Sequence, residues 1–334
     1  MRRKVTIVGT TTWGTTIAIM LARNGVATTI LARSEDEAAK LISDGENNRF
    51  LPGIKFPDGL MVSHHIQDVV GGGEIIVIAV PSYSLRNNAV LISPFLNTNC
   101  VVLSATKGLE IGSNKRMSEV LSEELVHSDP SQICILSGPN LAKEIVMGSP
   151  ASAVVAGYDL DSVNRIQETF NSSLFRVYDS SDVVGVELAG ALKNVIALGA
   201  GFCDGLGIGD NAKGALITRG LAEISRLGVA MGAQQITFAG LAGIGDIIAT
   251  CSSSLSRNHY VGQQLALGAS LHDITESMDN VAEGINSTMA AKEISLNLGV
   301  EMPIVDVTYR VLFEGLHPNL AVSDLMERPI RSEW

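Results

Sequence analysis

The sequence predicts two domains, first an α/β domain on a doubly wound parallel sheet and then an all-helical domain. Two observations carry this prediction. Short runs rich in β-branched residues alternate with helical patterns as far as residue 180, and no convincing strand follows residue 183. A chain of 334 residues is long enough for two cores. We therefore place the boundary near Ser180, with domains of residues 1–180 and 181–334.

The strands and helices follow from hydrophobic periodicity, taken in chain order. Between the first two strands, residues 13–24 form an amphipathic pattern that directs Ile17 and Leu21 toward the sheet, and Gly25 ends the helix. Beyond residue 183, helical patterns are interrupted by glycine clusters and by a polar loop at 251–256. Seven strands are predicted, at residues 5–8, 28–32, 75–80, 101–104, 133–136, 153–155 and 175–178.

Composition and charge narrow the classes of partner. A formal net charge of −11 argues against nucleic acid and anionic membranes, whose phosphates an acidic field repels, but not against a small phosphate ester held by local cations. No run of 18 uninterrupted apolar residues occurs, so we expect no membrane insertion and a cytoplasmic protein. The four cysteines, Cys100, Cys134, Cys203 and Cys251, are far apart in the sequence, so we expect buried free thiols. No metal-ligand spacing appears, so we expect no metal site.

The first strand is followed by a nucleotide-binding pattern. Gly9 and Gly14 occupy the first and third glycine positions of the fingerprint G-x-G-x-x-G, between a strand and a helix. Thr11 stands at the middle position, where a side chain crowds a pyrophosphate, although its hydroxyl can donate a hydrogen bond. The pattern indicates a dinucleotide site, and a simple tight turn is the alternative.

The end of the second strand bears on the choice of cofactor. Arg33 stands where an NADP site places an arginine for the 2′-phosphate and an NAD site places an acid for the ribose. Arg33 therefore favours NADP(H), while the nearby Glu35 leaves NAD(H) open. A solvated arginine without a ligand is the structural alternative.

Three loops follow predicted strands at the sheet edge where doubly wound folds bind ligands. They contain Pro81, Lys107 and the segment Ser137-Gly138-Pro139-Asn140. Each loop alone is consistent with a simple turn and a solvated lysine. Because all three would face one crevice, we interpret them as parts of a binding site.

The most informative side chain lies in the apolar run of residues 183–203. Lys193 and Asn194 interrupt a segment composed almost wholly of Ala, Val, Leu, Ile and Gly. Burial disfavours the charged ammonium and lowers the pKa of a lysine, which then suits general acid or base chemistry near neutral pH. The alternative is a structural lysine whose amine extends to the helix edge.

Read together, these segments resemble the bacterial type of NAD(P)-dependent glycerol-3-phosphate dehydrogenase over nearly the whole chain. Two positions depart from the family pattern: Thr11 at the middle glycine, and Asn140 where a serine normally follows Gly-Pro. The motifs that carry the resemblance are Asn47-Asn48-Arg49-Phe50-Leu51-Pro52-Gly53, Val80-Pro81-Ser82, Lys107-Gly108-Leu109-Glu110, Ser137-Gly138-Pro139, Leu192-Lys193-Asn194, Gly243-Ile244-Gly245-Asp246, Leu255-Ser256-Arg257-Asn258 and Val281-Ala282-Glu283-Gly284.

The resemblance implies reversible hydride transfer between a nicotinamide and C2 of dihydroxyacetone phosphate, giving sn-glycerol 3-phosphate for phospholipid synthesis. It implies Lys193 as general acid, Asp246 as the group that orients the lysine pair, and Lys107 in contact with cofactor and substrate. The implied substrate contacts are Lys107, Gly138, Asn140, Lys193, Asp246, Ser256, Arg257 and Asn258. The implied cofactor contacts are Gly9, Thr12, Trp13, Gly14, Arg33, Lys107, Ala142, Arg257, Val281 and Glu283.

Two other functions stay open at this point. One is a related two-domain dehydrogenase or reductase acting on a hydroxy acid, which would need a carboxylate clamp and would make the Arg257-Asn258 loop a different anion site. The other is a non-catalytic NAD(P)-sensing protein, favoured only by the altered fingerprint. A sensor does not need Lys107, Lys193 and Asp246 together, so we expect an enzyme. Its long glycine-rich apolar helices further predict a homodimer.

Overall fold

A computed structural model describes residues 3–126, 128–278, 282–330 and 332–333. Eight strands form one sheet with the order β3-β2-β1-β4-β5-β6-β7-β8, and the neighbours pair in parallel except β6 with β7. The predicted doubly wound sheet is thereby confirmed. The strands are β1 (Lys4–Val8), β2 (Ala27–Leu31), β3 (Leu60–Ser63), β4 (Ile75–Ile78), β5 (Val101–Ser104), β6 (Ile133–Ser137), β7 (Ala151–Ala156) and β8 (Phe175–Ser180).

Helices cover both faces of this sheet. Side chains of β4 alternate between the two buried cores, with Ile75 and Val77 in one and Ile76 and Ile78 in the other. This is the period-two pattern that strand geometry requires. The helices of the sheet domain are α1 (Thr12–Arg23), α2 (Glu35–Asp44), α3 (Ile66–Gly71), α4 (Leu85–Ile92), α5 (Met117–Glu124), α6 (Ala142–Val146) and α7 (Leu160–Phe170).

The remaining described chain is helical, as predicted. Short irregular helical turns at Gln235–Ala239 and Leu241–Gly245 precede α10. β8 ends at Ser180 and α8 begins at Val183, which supports our proposed boundary after residue 180. The helices are α8 (Val183–Leu206), α9 (Asp210–Ala230), α10 (Asp246–Ser252), α11 (Arg257–Ala266), α12 (Leu271–Glu276), α13 (Glu283–Leu298), α14 (Pro303–Phe313) and α15 (Pro318–Met326).

α8 is the central helix of the second domain. Among the described residues it is the one helix long and apolar enough to cross a membrane, and 94% of its apolar window is buried inside the protein. Its apolar side chains share a core with Ile135 of β6 and Val154 of β7. This contact places Lys193, midway along α8, against the carboxyl end of β6.

The sequence prediction differs from the structure by one missed strand and in the ends of several others. The strand β3 was not predicted, because it is a four-residue edge strand with no buried side chain and no clear alternation. The strand predicted at 75–80 ends at Ile78, two residues before the expected position. The remaining strand ends differ from the prediction by two residues or fewer, and α1 begins at Thr12 and ends at Arg23.

Close contact between α8 and α11 depends on two glycines. A Cβ added at Gly201 would lie 2.1 Å from the backbone oxygen of His259, and one at Gly262 would lie 2.0 Å from that of Leu198. Backbone atoms cannot move aside as a flexible side chain can. The two helices therefore approach closely only because neither position carries a side chain.

We expect Gly201→Ala to lower the free energy of unfolding by about 2 kcal/mol, because it forces α11 away from α8. Gly214→Ala is the matched control, since it also lies inside a helix but has no atom within 4 Å of the added Cβ. The control should be neutral or stabilised by up to about 1 kcal/mol. Urea unfolding followed by circular dichroism measures both. Equal midpoints for the two variants would contradict the proposed helix contact.

Candidate functional site

A cavity of about 1020 Å³ lies between the sheet edge and the helical domain. Its walls combine loops at the carboxyl ends of β1, β2, β4, β5 and β6 with residues from α8, α10, α11 and α13. The structure thus brings most of the predicted site residues together. Those on the wall are Gly9, Thr12, Trp13, Arg33, Lys107, Asn140, Ala142, Lys193, Ser256, Arg257, Asn258 and Glu283.

The other predicted residues lie behind this wall or outside the described chain. Gly14 follows Trp13 in the chain, and Gly138 and Asp246 each accept a hydrogen bond from Lys107, which lines the cavity. Val281 falls outside the described residues. A second groove of about 1230 Å³ runs along β7 and β8, and none of the described site residues lines it. We therefore place the candidate site in the interdomain cavity.

The fingerprint turn has the shape that a pyrophosphate site needs. Gly9 has a φ of 121°, and a Cβ there would lie 2.5 Å from the backbone oxygen of Ala79. A Cβ at Gly14 would lie 2.2 Å from the oxygen of Gly9. Both positions thus require glycine, and the N-terminus of α1 opens onto the cavity. The partial positive charge of a helix N-terminus favours phosphate groups.

Thr11 has a different role from the one expected. Its hydroxyl donates to the oxygen of Ala79 (2.7 Å) and accepts from the backbone nitrogen of Gly14 (3.1 Å), so that it caps α1. A hydroxyl has one hydrogen to donate, and this one is already engaged. The expectation that it can donate to a pyrophosphate is therefore wrong in this conformation.

The chemical centre consists of two lysines that share one carboxylate. Lys107 Nζ donates to Asp246 Oδ2 (2.6 Å) and to the backbone oxygen of Gly138 (2.8 Å). Lys193 Nζ donates to Asp246 Oδ1 (2.7 Å) and to Thr250 Oγ1 (2.5 Å). The Asp246 side chain is only 3% exposed. The predicted orienting carboxylate therefore holds both ammonium groups on one wall.

This centre has an excess of positive charge. Burial, together with the charge of the neighbouring Lys193, lowers the pKa of Lys107 to about 8, although Asp246 opposes the shift. Two ammonium groups against one carboxylate attract an anion or a developing oxyanion. At neutral pH the arrangement combines a cationic wall with a lysine that releases its proton more readily than usual.

Asp246 is the first residue of α10. The irregular turn Leu241–Gly245 precedes it, and the carboxylate projects from the start of the helix. Thr250 lies four residues later, on the same helix face, and was not predicted as a site residue. The i, i+4 spacing from Asp246 becomes a signal for Thr250 only once Asp246 is known to begin a helix.

The loop after β6 contributes backbone and amide groups. Gly138 has a φ of 128°, which turns its oxygen toward Lys107. Asn140 donates through Nδ2 to the oxygen of Ser152 (3.1 Å), and its buried Oδ1 has no hydrogen-bond partner among the described residues. The group that Asn140 leaves unpaired is thus an acceptor.

The segment Ser256-Arg257-Asn258 begins α11 and lies on the cavity wall. The Ser256 hydroxyl caps the helix, accepting from the nitrogen of His259 (3.2 Å). Asn258 donates to Asn194 Oδ1 (2.8 Å) and accepts from the nitrogen of Gly284 (2.9 Å), which joins α8, α11 and α13. Asn194, absent from the predicted site, therefore lies on the cavity wall beside Lys193.

Two buried carboxylates connect the domains around the cavity. Glu283 at the start of α13 accepts from the backbone nitrogen (2.9 Å) and hydroxyl (2.6 Å) of Ser82. Glu187 on α8 accepts from Arg116 (2.7 Å) and from the nitrogen of Ser118 (2.8 Å). Burial raises the pKa of both acids, and their partners counteract that shift. These contacts fix Lys193 relative to the loop that carries Lys107.

Arg257 and Glu283 form another charged part of the cavity wall. Burial lowers the pKa of Arg257, and the charge of Glu283 opposes that effect. A guanidinium is a planar donor suited to phosphate oxygens. Its position on the cavity wall is compatible with either a substrate phosphate or a cofactor phosphate.

Two family models match the chain and together span most of it. One describes the N-terminal part of NAD-dependent glycerol-3-phosphate dehydrogenase and matches residues 4–163. The other describes the C-terminal part of the same enzyme and matches residues 182–323.

Individual relatives agree with the family models. A glycerol-3-phosphate dehydrogenase, NAD(P)+, of Dehalococcoides mccartyi is 48% identical over 324 residues, covering 97% of this chain and 90% of the relative. One of Prosthecochloris aestuarii is 45% identical and covers 98% of this chain and 99% of the relative. The crystal structure of glycerol-3-phosphate dehydrogenase from Coxiella burnetii superposes with a TM-score of 0.92 at 33% identity, covering 98% of this chain and 99% of the other.

Proposed function

The chain belongs to the family of NAD-dependent glycerol-3-phosphate dehydrogenases, and we propose from this premise how its cavity carries out the family's reaction. The protein is an oxidoreductase that uses a nicotinamide cofactor to reduce dihydroxyacetone phosphate to sn-glycerol 3-phosphate, reversibly. The single observation that carries the proposed mechanism is the pair of lysines on Asp246 at the cavity wall.

The reaction requires a cation and a proton beside the carbonyl oxygen. When bound, the reduced nicotinamide supplies a hydride to C2 of the ketone, and the carbonyl oxygen gains negative charge. Lys193 donates a proton to that oxygen in reduction and removes it from the alcohol in oxidation. The ammonium of Lys107 stabilises the developing charge, and Asp246 holds the two amines in place.

The substrate phosphate and hydroxyl groups have candidate partners at the start of α11 and in the loop after β6. Arg257 presents a guanidinium that is suited to the phosphate, and Ser256 and Asn258 add hydrogen-bonding atoms beside it. The unpaired Oδ1 of Asn140 would accept from a substrate hydroxyl. A ketone phosphate thus meets cations at both its carbonyl and its phosphate.

The fingerprint turn is compatible with a dinucleotide, because side chains at Gly9 and Gly14 would collide with the backbone oxygens of Ala79 and Gly9 and open the tight turn that leads into α1. Thr12 and Trp13 at the start of α1 would hold the cofactor, with Ala142 at the start of α6. Arg33, Lys107, Arg257 and Glu283 complete the proposed cofactor contacts around the cavity.

We propose that NADPH is preferred over NADH, because Arg33 lines the cavity at the end of β2. Arg33→Asp should shift the ratio of kcat/KM for NADPH over NADH toward NADH by about 10- to 100-fold, the worth of a charged hydrogen bond. Steady-state kinetics with each cofactor measures this ratio. An unchanged ratio would mean that Arg33 does not contact the 2′-phosphate.

The direct test of the whole assignment follows the absorbance of reduced nicotinamide when purified protein meets dihydroxyacetone phosphate. NADPH and NADH are used separately, and a 2-keto acid replaces the phosphate ester in a parallel assay. We expect turnover with dihydroxyacetone phosphate and none with the acid. Turnover with the keto acid alone would mean that Arg257 binds a substrate carboxylate rather than a phosphate.

Three further proposals concern the cellular setting. We propose that the product supplies phospholipid synthesis, and that the protein acts in the cytoplasm, where its four free, buried cysteines would stay reduced.

We also propose a homodimer. The long apolar helix α8 no longer supports it, because α8 is buried within its own chain. Exposed apolar side chains at Val229, Leu296 and Leu298 do support it, and sedimentation measures it.

A further inference from the structure

The end of β2 carries a carboxylate that the sequence analysis did not select. Glu37, in the first turn of α2, accepts from the backbone nitrogen of Arg33 (2.8 Å) and from Thr10 Oγ1 (2.9 Å). It also accepts from the Arg33 guanidinium, at 2.7 Å from Nη2. The nearby acid expected from sequence, Glu35, is exposed instead. Glu37 is therefore the acid that reaches back to the end of the strand.

The surroundings of Glu37 keep it charged and in place. Its side chain is 19% exposed, against 67% for Arg33. Burial alone raises the pKa of Glu37, but the hydrogen bonds from Arg33 and Thr10 outweigh burial and hold that pKa below its ordinary value. Thr10 belongs to the fingerprint turn, so one carboxylate connects the turn, the strand end and the arginine.

This location is the one where dinucleotide sites distinguish the two nicotinamide cofactors. An acid at the end of the second strand accepts from the ribose hydroxyls of NAD(H), and it repels the 2′-phosphate of NADP(H). An arginine has the opposite effect. Here the two charges are joined by an ion pair, so the guanidinium that would bind the phosphate is already partly neutralised.

We propose that Glu37 is a cofactor-specificity residue that limits the preference for NADP(H) and supports binding of NAD(H). The proposal rests on the proposed function, since it requires a nicotinamide dinucleotide whose ribose lies at the end of β2. It predicts that the chain uses both cofactors, with Arg33 and Glu37 acting in opposite directions on the choice between them.

The test uses Glu37→Gln, which removes the charge but keeps the size of the side chain. Dissociation constants for NADP+ and NAD+ are measured by isothermal titration calorimetry, alongside kcat/KM for each reduced cofactor. We expect the preference for the phosphorylated cofactor to rise about 10-fold, because a like charge beside the phosphate is removed. Thr10→Val, which removes the hydroxyl that holds Glu37, should shift the preference in the same direction.

Glu35→Gln is the matched control, with the same charge change in the same helical turn but on an exposed side chain. Its preference for NADP(H) over NAD(H) should stay within about twofold of the wild-type value, because water and salt screen an exposed charge. An unchanged ratio in folded Glu37→Gln would overturn the proposal, and so would an equal change in the control.

The outcomes also separate this proposal from the assignment of Arg33. A shift in Glu37→Gln together with no shift in Arg33→Asp would support Glu37 and reject the arginine as the phosphate contact. A shift in Arg33→Asp alone would do the reverse. A folded wild-type protein that binds neither NADP+ nor NAD+ would overturn the Glu37 proposal together with the proposed function.

Discussion

Replacing Lys193 with alanine is expected to abolish turnover and leave cofactor binding nearly unchanged. The side chain is 8% exposed, and its amine donates to Asp246 and Thr250 rather than to any residue of the fingerprint turn. Loss of the general acid and of one cation should lower kcat for ketone reduction by at least about 10³-fold. Titration with NADPH, followed by the fluorescence of Trp13, measures binding separately from chemistry.

The design of this experiment must separate chemistry from packing. Lys193→Met keeps most of the buried volume and should be as inactive as the alanine variant, since what matters is the amine. Lys213→Met is the control, because Lys213 also pairs with an aspartate, Asp204, but neither residue lines the cavity. Substantial turnover by either Lys193 variant would remove this residue from the proposed role.

The second large effect is expected from Asp246→Asn. The carboxylate is the common partner of both amines, at 2.6 and 2.7 Å, and asparagine has the same shape without the charge. Two ammonium groups would then face each other in a buried site without a counter-ion. We expect kcat to fall by about 10²-fold at neutral pH, since Lys107 would lose its proton more readily and both lysines would lose the partner that orients them.

The pH dependence of ketone reduction tests the effect of Asp246 on the pKa of Lys107. In the wild type, Lys107 has a pKa of about 8, so the cation beside the ketone is lost and reduction slows as the pH rises through about 8. Asp246 raises the pKa of Lys107, so its neutralisation must lower that pKa. The alkaline decline of the Asp246→Asn variant should therefore begin at lower pH than in the wild type.

A control and a contrary outcome complete this test. Asp204→Asn neutralises a carboxylate that also binds a lysine, but outside the cavity, and should leave the pH profile unchanged. If Asp246→Asn lowered kcat but the pH at which activity declines stayed the same, the aspartate would orient the lysines without affecting the pKa of Lys107. If it left kcat unchanged, the shared carboxylate would have no part in the reaction.

Most of the sheet could be predicted from sequence because its strands are buried on both faces. β4 and β5 are continuous apolar runs with every residue buried, and such runs are visible without any structure. β3 was missed because an exposed edge strand of four residues resembles a loop in its composition. α8 was predicted from its apolar length, but its burial by other helices was not visible in that pattern.

The candidate site was predictable where a residue type is unusual for its surroundings. Lys193 is a charge inside an apolar helix, and Lys107 follows a buried strand, so both could be selected. Thr250 and Glu37 could not, because a threonine in a helix and a glutamate in a first helical turn are both ordinary. Their importance depends on what lies opposite them, which is a property of packing.

The sequence by itself determined the fold class, the family and the two lysines, because buried strands, ordered motifs and a buried charge are local patterns. Only the tertiary structure decided that one carboxylate binds both amines. Asp246 is 139 residues from Lys107 and 53 from Lys193 along the chain, so these contacts exist only once α8 and α10 pack at the sheet edge. Tertiary packing likewise decided that Glu37, rather than Glu35, meets Arg33. Local sequence patterns specify which face of a helix is buried, whereas the distance between two such faces is set by the whole core.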